Sequence, residues 1–344
     1  MTATLLGVLD RIGMNPRLLD RRFSRSMNEV GRTSTRKILA VFSLIGRLIR
    51  TLAVTRPTSC IFFITTRPGS FLIDWVLNEI LTLARVPIIH YIHTQGFVDL
   101  AARGRIWDVL VRRLLGNAQM TICLGPSLVP DVSAWVKGQL ICIPNTTSGS
   151  PTAGVKNHED HPQKVLFLSN LIPSKGPEDF IEMALHVRRN SPAAVLQIVG
   201  ADSDPEFTFT LKSRAAQLGL DHCLQFLGPK YGEDKWLLLQ DATVLIYPSH
   251  YDAQPLTILE AFSCSTPVIA YRTGGIPDLI SSDVNGYLVD PGDLEALAGH
   301  CNSILSDVAL RKRLKESALL SYLEDYSLAA YEASWQSAMR SAFA

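Results

Sequence analysis

Two stretches of this 344-residue chain carry side chains whose types and spacing suit a phosphorylated, hydroxyl-rich ligand. In VLFLSNLIPSKGPEDFIEMA (165–184), an apolar run ends near Ser169. Lys175 and Gly176 then stand at the mouth of a helix whose apolar face is Phe180, Ile181, Ala184 and Val187. A lysine there adds a mobile cation to a row of free backbone N–H groups, which is how proteins hold phosphate. Taken alone, such a lysine is more often a solvated surface residue. In YPSHYDAQPLTILEAFSCSTPVIAYRTGGIPDLI (247–280), a buried strand ends at Tyr247, a loop carries Asp252, and Pro255 stands where a helix begins. Glu260 follows about 7 Å along that helix axis. The two acids can therefore reach different hydroxyl-bearing parts of one ligand, while the N–H groups of Leu256 and Thr257 face an anion between them. Such an arrangement suits sugar, phosphate and ribose in line. Taken singly, Glu260 is equally a helix carboxylate favoured by the dipole, and Asp252 an ordinary loop residue.

These motifs need strands to end where they begin, and the pattern supplies them. Short runs rich in Val and Ile alternate with longer helical patterns, the signature of parallel sheets flanked by helices. The first half offers CIFFIT (60–65), PIIHYI (87–92), MTICL (120–124) and QLICI (139–143). A polar stretch, IPNTTSGSPTAGVKNHEDHPQ, reads as a linker. The pattern then restarts with KVLFLS, AVLQIVG, CLQFLG, ATVLIYP and TPVIAY, marking a second α/β domain. The last helical pattern has Tyr326, Ala329, Ala330, Ala333 and Met339 as its candidate packing residues.

The composition is that of a globular chain too long for one core: 47% hydrophobic, 19% charged, 33 basic against 32 acidic side chains. That balance excludes a disordered tail, a disulfide scaffold and a nucleic-acid-coating protein. It hides an asymmetry, with 18 Lys+Arg against 8 Asp+Glu in residues 1–147 and 15 against 24 in residues 148–344. The basic half, including Arg17, Arg21, Arg22, Arg25, Arg32, Arg36 and Lys37, suits an anionic lipid, phosphate or polysaccharide surface, unless the opposite halves simply attract each other. The six cysteines lack metal spacing and read as small buried hydrophobes in a reducing compartment. No signal peptide is legible. The most apolar stretch, Ile38 to Val54, contains Arg47 and Arg50 and is shorter than the roughly 20 residues of a spanning helix. A cytoplasmic protein, peripheral at most on the cytoplasmic membrane face, is the expectation.

The motifs S-N-L-I-P-S-K-G, L-Q-I-V-G, F-L-G, Y-P-S-H-Y-D-A-Q-P-L-T-I-L-E-A-F, T-P-V-I-A, G-G-I-P-D-L-I and N-G-Y-L-V-D-P-G-D cover most of residues 164–293. In this order and spacing they resemble the retaining nucleotide-sugar glycosyltransferases of family 4. HYIHTQGF, ICLGPSL and IPN are similar to that family's acceptor domain. The resemblance implies an α/β fold of two Rossmann-like domains facing a cleft (GT-B architecture), with a C-terminal helix crossing back to the N-terminal domain. The expected domains are 1–147 for acceptor, 148–325 for nucleotide sugar, and a crossover helix at 326–344. It implies a hexosyltransferase moving a sugar from a nucleoside-diphosphate donor to a glycan or lipid-linked acceptor in surface polysaccharide or glycolipid synthesis. No cofactor, metal or nucleic acid is implied.

By position, the resemblance gives Lys175 the donor diphosphate and Glu260 the ribose hydroxyls. Asp252, with the loop through Gln254 to Leu256 and Thr257, would hold donor sugar and phosphate, with Asn170 also at the donor. His93 would orient donor or acceptor near the reacting centre; without the resemblance it reads equally as a core or capping histidine at a strand end. Charge building on the departing phosphate is the main thing to stabilise, and that phosphate can take the acceptor's proton, retaining configuration. The chain departs from the family in having Asn170 where Arg is usual and Asp252 where Glu is commoner. It is also expected to lack the first strand and its Gly-rich loop, opening in the following helix and reaching a second strand around Arg17 to Asp20. The alternatives are a catalytically impaired nucleotide-sugar-binding protein or truncated pseudoenzyme, and an epimerase or phosphorylase of the same architecture.

Overall fold

The computed structural model describes residues 2–21, 35–147 and 163–343, without the side chains of 35–38. The chain divides into two compact units, Met1–Pro144 with Glu332–Ala344, and Asn145–Tyr331.

The first unit holds α1 (Thr2–Arg11), α2 (Thr35–Thr55), β1 (Cys60–Ile64), α3 (Pro68–Leu83), β2 (Ile88–Ile92), α4 (Phe97–Ala102), α5 (Arg105–Gly116), β3 (Met120–Cys123) and β4 (Gln139–Cys142). The strands form one parallel sheet in the order β1-β2-β3-β4. β2 and β3 are buried at every position, as expected of a parallel strand covered on both faces. α12 (Leu328–Phe343) completes this unit at its C-terminal end. Within this unit its buried residues are Trp335, Ala338, Met339 and Ala342, with the Trp335 ring edge-on to Tyr91 at 5.1 Å and Gln119 Nε2 donating to the Ala342 carbonyl. Ala329 and Ala333, expected in that face, are exposed instead. The indole, with far more apolar area to bury, sets the helix rotation.

No strand forms at Arg17–Asp20; residues 14–21 are irregular. Arg21 ion-pairs with the buried Asp74, and Arg47 Nη1 donates to the Asp20 carbonyl at 3.4 Å. Side-chain anchoring thus replaces a backbone ladder, and among the described residues β1 has one strand neighbour. The apolar stretch 38–54 lies within α2, which buries Leu44 and Leu48 and exposes Leu39, Phe42, Ile49 and Val54. Of the six free cysteines, Cys123, Cys223 and Cys301 are buried, Cys60 and Cys264 half-buried, and Cys142 exposed on the outer strand β4.

The second unit holds β5 (Lys164–Leu168), α6 (Pro177–Asn190), β6 (Val195–Val199), α7 (Pro205–Gln217), β7 (Leu224–Gly228), α8 (Gly232–Asp241), β8 (Val244–Tyr247), α9 (Leu256–Ser263), β9 (Val268–Tyr271), β10 (Gly286–Val289), α10 (Leu294–Ser306) and α11 (Val308–Ser321). Its sheet is all parallel in the order β10-β9-β8-β5-β6-β7. Phe180, Ile181, Ala184 and Val187 are fully buried, as the spacing requires, with Phe180 5.6 Å from Phe167 of β5.

The boundary falls at 144/145 rather than 147 because the next three residues are bonded into the second unit. Asn145 bonds Gln254, Thr146 Oγ1 donates to the Tyr326 carbonyl at 2.7 Å, and the Tyr322 hydroxyl donates to the Thr147 carbonyl at 3.3 Å. The second boundary lies at 331/332, inside α12, rather than at 325. Residues 148–162 of the expected linker lie outside the described residues.

Candidate active site

β5 and β8 lie side by side where the strand order turns, so the loops leaving their carboxyl ends meet in one crevice, the usual ligand position in an open parallel sheet. The loop after β5 closes in a 3-10 turn, Pro173–Lys175, ending at Gly176 with φ +70°. A Cβ at Gly176 would collide with the Pro248 carbonyl oxygen of the loop after β8, so glycine permits the close approach. The loops are joined by His250 N–H and Ser249 Oγ, which both donate to the Ser174 carbonyl, at 2.9 and 3.2 Å. His250 Nε2 and the Tyr271 hydroxyl meet one Asp179 oxygen at 2.9 and 2.8 Å, fixing the loop to the first turn of α6.

This framework brings Lys175 and Asp252 together although 76 residues lie between them. Lys175 Nζ ion-pairs with Asp252 Oδ2 and donates to the Tyr251 carbonyl at 3.3 Å; the two side chains are 20% and 16% exposed. Asp252 Oδ2 also accepts from the Tyr247 hydroxyl at 2.7 Å. Burial, reinforced by the Asp252 charge, pushes the Tyr247 phenol well above its usual range, so it is a donor at neutral pH. Pro255 gives α9 no side-chain cap, which leaves its first-turn N–H groups, those of Leu256 and Thr257, available to an anion.

Glu260, on α9, is 12% exposed at its side chain and pairs with Lys235 of α8, Nζ to Oε1 2.6 Å. Lys235 Nζ lies 4.9 Å from the Trp236 ring centroid. The sequence reading missed Lys235; its one signal was a lysine between acids and apolar residues in GEDKWLLL, which has no local meaning. Asn170 is exposed on the loop after β5. Gln254 is differently engaged: it is buried, its side-chain oxygen accepts the Asn145 N–H at 2.6 Å, and its carbonyl accepts Asn145 Nδ2 at 3.0 Å.

His93 belongs to the first unit, directly after β2, edge-on to Tyr91 at 4.1 Å and 5.3 Å from Phe63. Its Nε2 is buried with no hydrogen-bond partner among the described residues, and burial pushes the imidazole down to about 4. His90 faces the core, bonded through Nε2 to Asn78 Oδ1 at 2.9 Å, and is pushed down to about 3. The loop after His93 is fixed by Asp131, whose carboxylate accepts the N–H groups of Gly96, Phe97 and Val98 at 2.7, 3.1 and 3.0 Å. Sequence reasoning missed Asp131 because it lies 35 residues downstream of the loop it holds. Among the described residues, no three His, Cys, Asp or Glu side chains gather as metal ligands would.

With this geometry in view, residues 152–320 match the family described as "Glycosyl transferases group 1". The D-inositol 3-phosphate glycosyltransferase of Corynebacterium efficiens is 30% identical over 273 residues, covering 72% of this chain and 63% of that protein. The chain thus spans less than two thirds of that relative. Among solved structures, sucrose-phosphate synthase from Thermosynechococcus elongatus superposes with a TM-score of 0.73 at 21% identity, covering 91% of this chain and 80% of its own. Anabaena HepE, solved with UDP and glucose, gives 0.67 at 19%, covering 90% and 83%. At these identities the structures establish the fold, two Rossmann-like α/β domains of the GT-B type.

Proposed function

Starting from a chain whose residues 152–320 match the group 1 glycosyl transferases, we propose that it transfers a hexosyl group, with retention, from a nucleoside-diphosphate sugar to a glycan or lipid-linked acceptor, as a member of family 4. The observation that carries this reading is the Lys175–Asp252 pair at the turn in the strand order, with Glu260 on the helix that follows. Lys175 and the first-turn N–H groups of α9 stabilise charge on the departing diphosphate, with no metal required. Asp252 takes sugar hydroxyls and Glu260 the ribose. The departing phosphate takes the acceptor's proton, and His93, neutral at physiological pH, orients a hydroxyl by hydrogen bonding.

The test is calorimetry with UDP-, GDP- and ADP-sugars, followed by anomer analysis of the product. Donor binding that disappears in Lys175→Ala, with a product of retained configuration, supports the reading; an inverted product, or binding indifferent to Lys175, overturns it. Asn170, in place of the family's usual Arg, favours a second reading, a nucleotide-sugar binder without turnover. Acceptor-dependent release of nucleoside diphosphate separates the two.

We place the reaction at the cytoplasmic face of a membrane bearing anionic lipid. Two observations support this. All six cysteines are free thiols, and α2 exposes Leu39, Phe42 and Ile49 at helical spacing beside Arg47 and Arg50, within a stretch (30–73) that has no Asp or Glu. No helix among the described residues is long and apolar enough to cross a membrane. Co-sedimentation with phosphatidylglycerol vesicles, lost in Phe42→Gln/Ile49→Gln, supports this placement; equal pelleting with neutral vesicles overturns it.

A further inference from the structure

Lys235 stands outside every motif that marks the donor site, yet it makes the closest polar contact to the carboxylate assigned to the ribose. α8, which carries it, follows the end of β7 by a loop bounded by Gly228 and Gly232, both at positive φ. Lys235 is the fourth residue of α8, and its side chain, 24% exposed, crosses to α9 rather than extending into solvent. A lysine so near the surface is free to solvate; that its ammonium instead meets Glu260 at 2.6 Å reflects a carboxylate that is 12% exposed and needs a countercharge.

The contact uses one oxygen. Lys235 Nζ bonds Oε1, and among the described residues no donor meets Oε2. A carboxylate fastened at one oxygen by a cation is held in a single orientation, with the other oxygen ready to accept. Hydroxyl recognition by a carboxylate benefits from that fixed orientation, since a freely rotating acid would pay in side-chain entropy for the bond. Resting on the proposed assignment of Glu260 to the ribose, we infer that Lys235 is a positioning residue for nucleotide recognition, aligning Glu260 so that its second oxygen takes the ribose hydroxyls. Lys235 touches Glu260, not the reacting atoms. It sets how strongly the site distinguishes a ribonucleotide from one lacking its hydroxyls.

The experiment measures the affinity of UDP and of its 2′,3′-dideoxy analogue for the wild-type chain and for Glu260→Gln, Lys235→Met and Lys235→Arg, with GDP and ADP pairs run alongside. The quantity read is the ratio between ribo and dideoxy forms. Wild type favours the ribonucleotide by about tenfold to a hundredfold, the range of a hydrogen bond to a charged group. Glu260→Gln and Lys235→Met both bring the ratio near unity, and Lys235→Arg restores most of it. A merely structural lysine would weaken both forms alike and leave the ratio unchanged. Loss of discrimination in Glu260→Gln but not in Lys235→Met overturns the role of Lys235 and leaves the ribose assignment standing. An unchanged ratio in Glu260→Gln, or no binding of any of the three nucleotides by wild type, overturns the assignment itself and the inference with it.

Discussion

In the second unit, the cation assigned to the donor phosphate is held by the acid assigned to the donor sugar. Removing either partner should therefore affect stability alike and ligand binding differently. The Lys175–Asp252 pair, at 20% and 16% side-chain exposure, lies between surface pairs worth about 0–1 kcal/mol and buried pairs whose breaking costs about 3–5; we take about 2 kcal/mol for either truncation. For a unit of this size that lowers the melting temperature by roughly 4–8 °C in both Lys175→Met and Asp252→Asn. Binding then separates them. Lys175→Met loses a charge-assisted contact of about 1.5–3 kcal/mol and should bind UDP about 10- to 150-fold more weakly. Asp252→Asn leaves the lysine with the Tyr251 carbonyl, the Tyr247 ring face and a neutral amide oxygen in place of a carboxylate, so bare UDP should bind as well as to wild type or better. Its loss should be confined to the preference for UDP-sugar over UDP. Thermal scans at saturating ligand give an independent reading, since a ligand at 100 times its Kd adds about 2.7 kcal/mol. Equal weakening of UDP binding in both variants would refute the reasoning, because the acid would then be part of the phosphate site rather than its competitor.

Four further outcomes are expected. Gly176→Ala should lower stability by about 2 kcal/mol or more, from positive φ and the collision with Pro248, whereas Gly292→Ala, at φ +87° in open space, should lose about 1; equal shifts in melting temperature would remove the collision from the account. His90 and His93, held near 3 and 4 in the fold against 6.5 when exposed, take up protons more readily unfolded, so stability should fall as pH drops from about 6.5 towards 4, by up to about 1.4 kcal/mol per pH unit for each. Denaturant titrations of His90→Gln and His93→Gln should show shallower slopes across that window, and slopes identical to wild type would count against it. Trp335→Ala should cost about 3–5 kcal/mol and open α12 to limited proteolysis. Asp131→Ala, which releases three N–H groups, should loosen the loop after His93, seen as faster amide exchange at Gly96 to Val98.

Much of this was readable from side chains alone, for definable reasons. All nine Val- and Ile-rich runs became strands, most clearly β2, β3, β8 and β9, which are buried at every position and admit little else; the tenth, Gly286–Val289, lay inside N-G-Y-L-V-D, where flanking turn residues hid it. Lys175, Asp252 and Glu260 were legible as candidates because loop and helix starts have strong local chemistry. Their partners were not. That Lys175 meets Asp252 depends on β8 lying beside β5, an order that no local pattern encodes. Lys235 and Asp131 act across elements, where spacing along the chain says nothing. The expected strand at Arg17–Asp20 failed for the opposite reason, a four-residue apolar and charged mixture given weight that only pairing could have justified. Of the packing residues expected near α12, Tyr326 and Met339 are buried, but Trp335 rather than Ala329 and Ala333 sets the helix face.

The division of the chain into its two units has a consequence for its synthesis. The second unit is contiguous, so every residue it needs has left the ribosome once Tyr331 emerges. The first unit is not: its sheet is synthesised by residue 142, but the helix bearing Trp335 and Met339 arrives last. During all the time that residues 145–331 are being made, the aromatic surface around Tyr91 waits without its cover, available to chaperones or to a neighbouring nascent chain. The half of the protein begun first is thus completed only after the second unit has been made, and the emergence of Trp335 and Met339, rather than that of the first 144 residues, sets when its core can close.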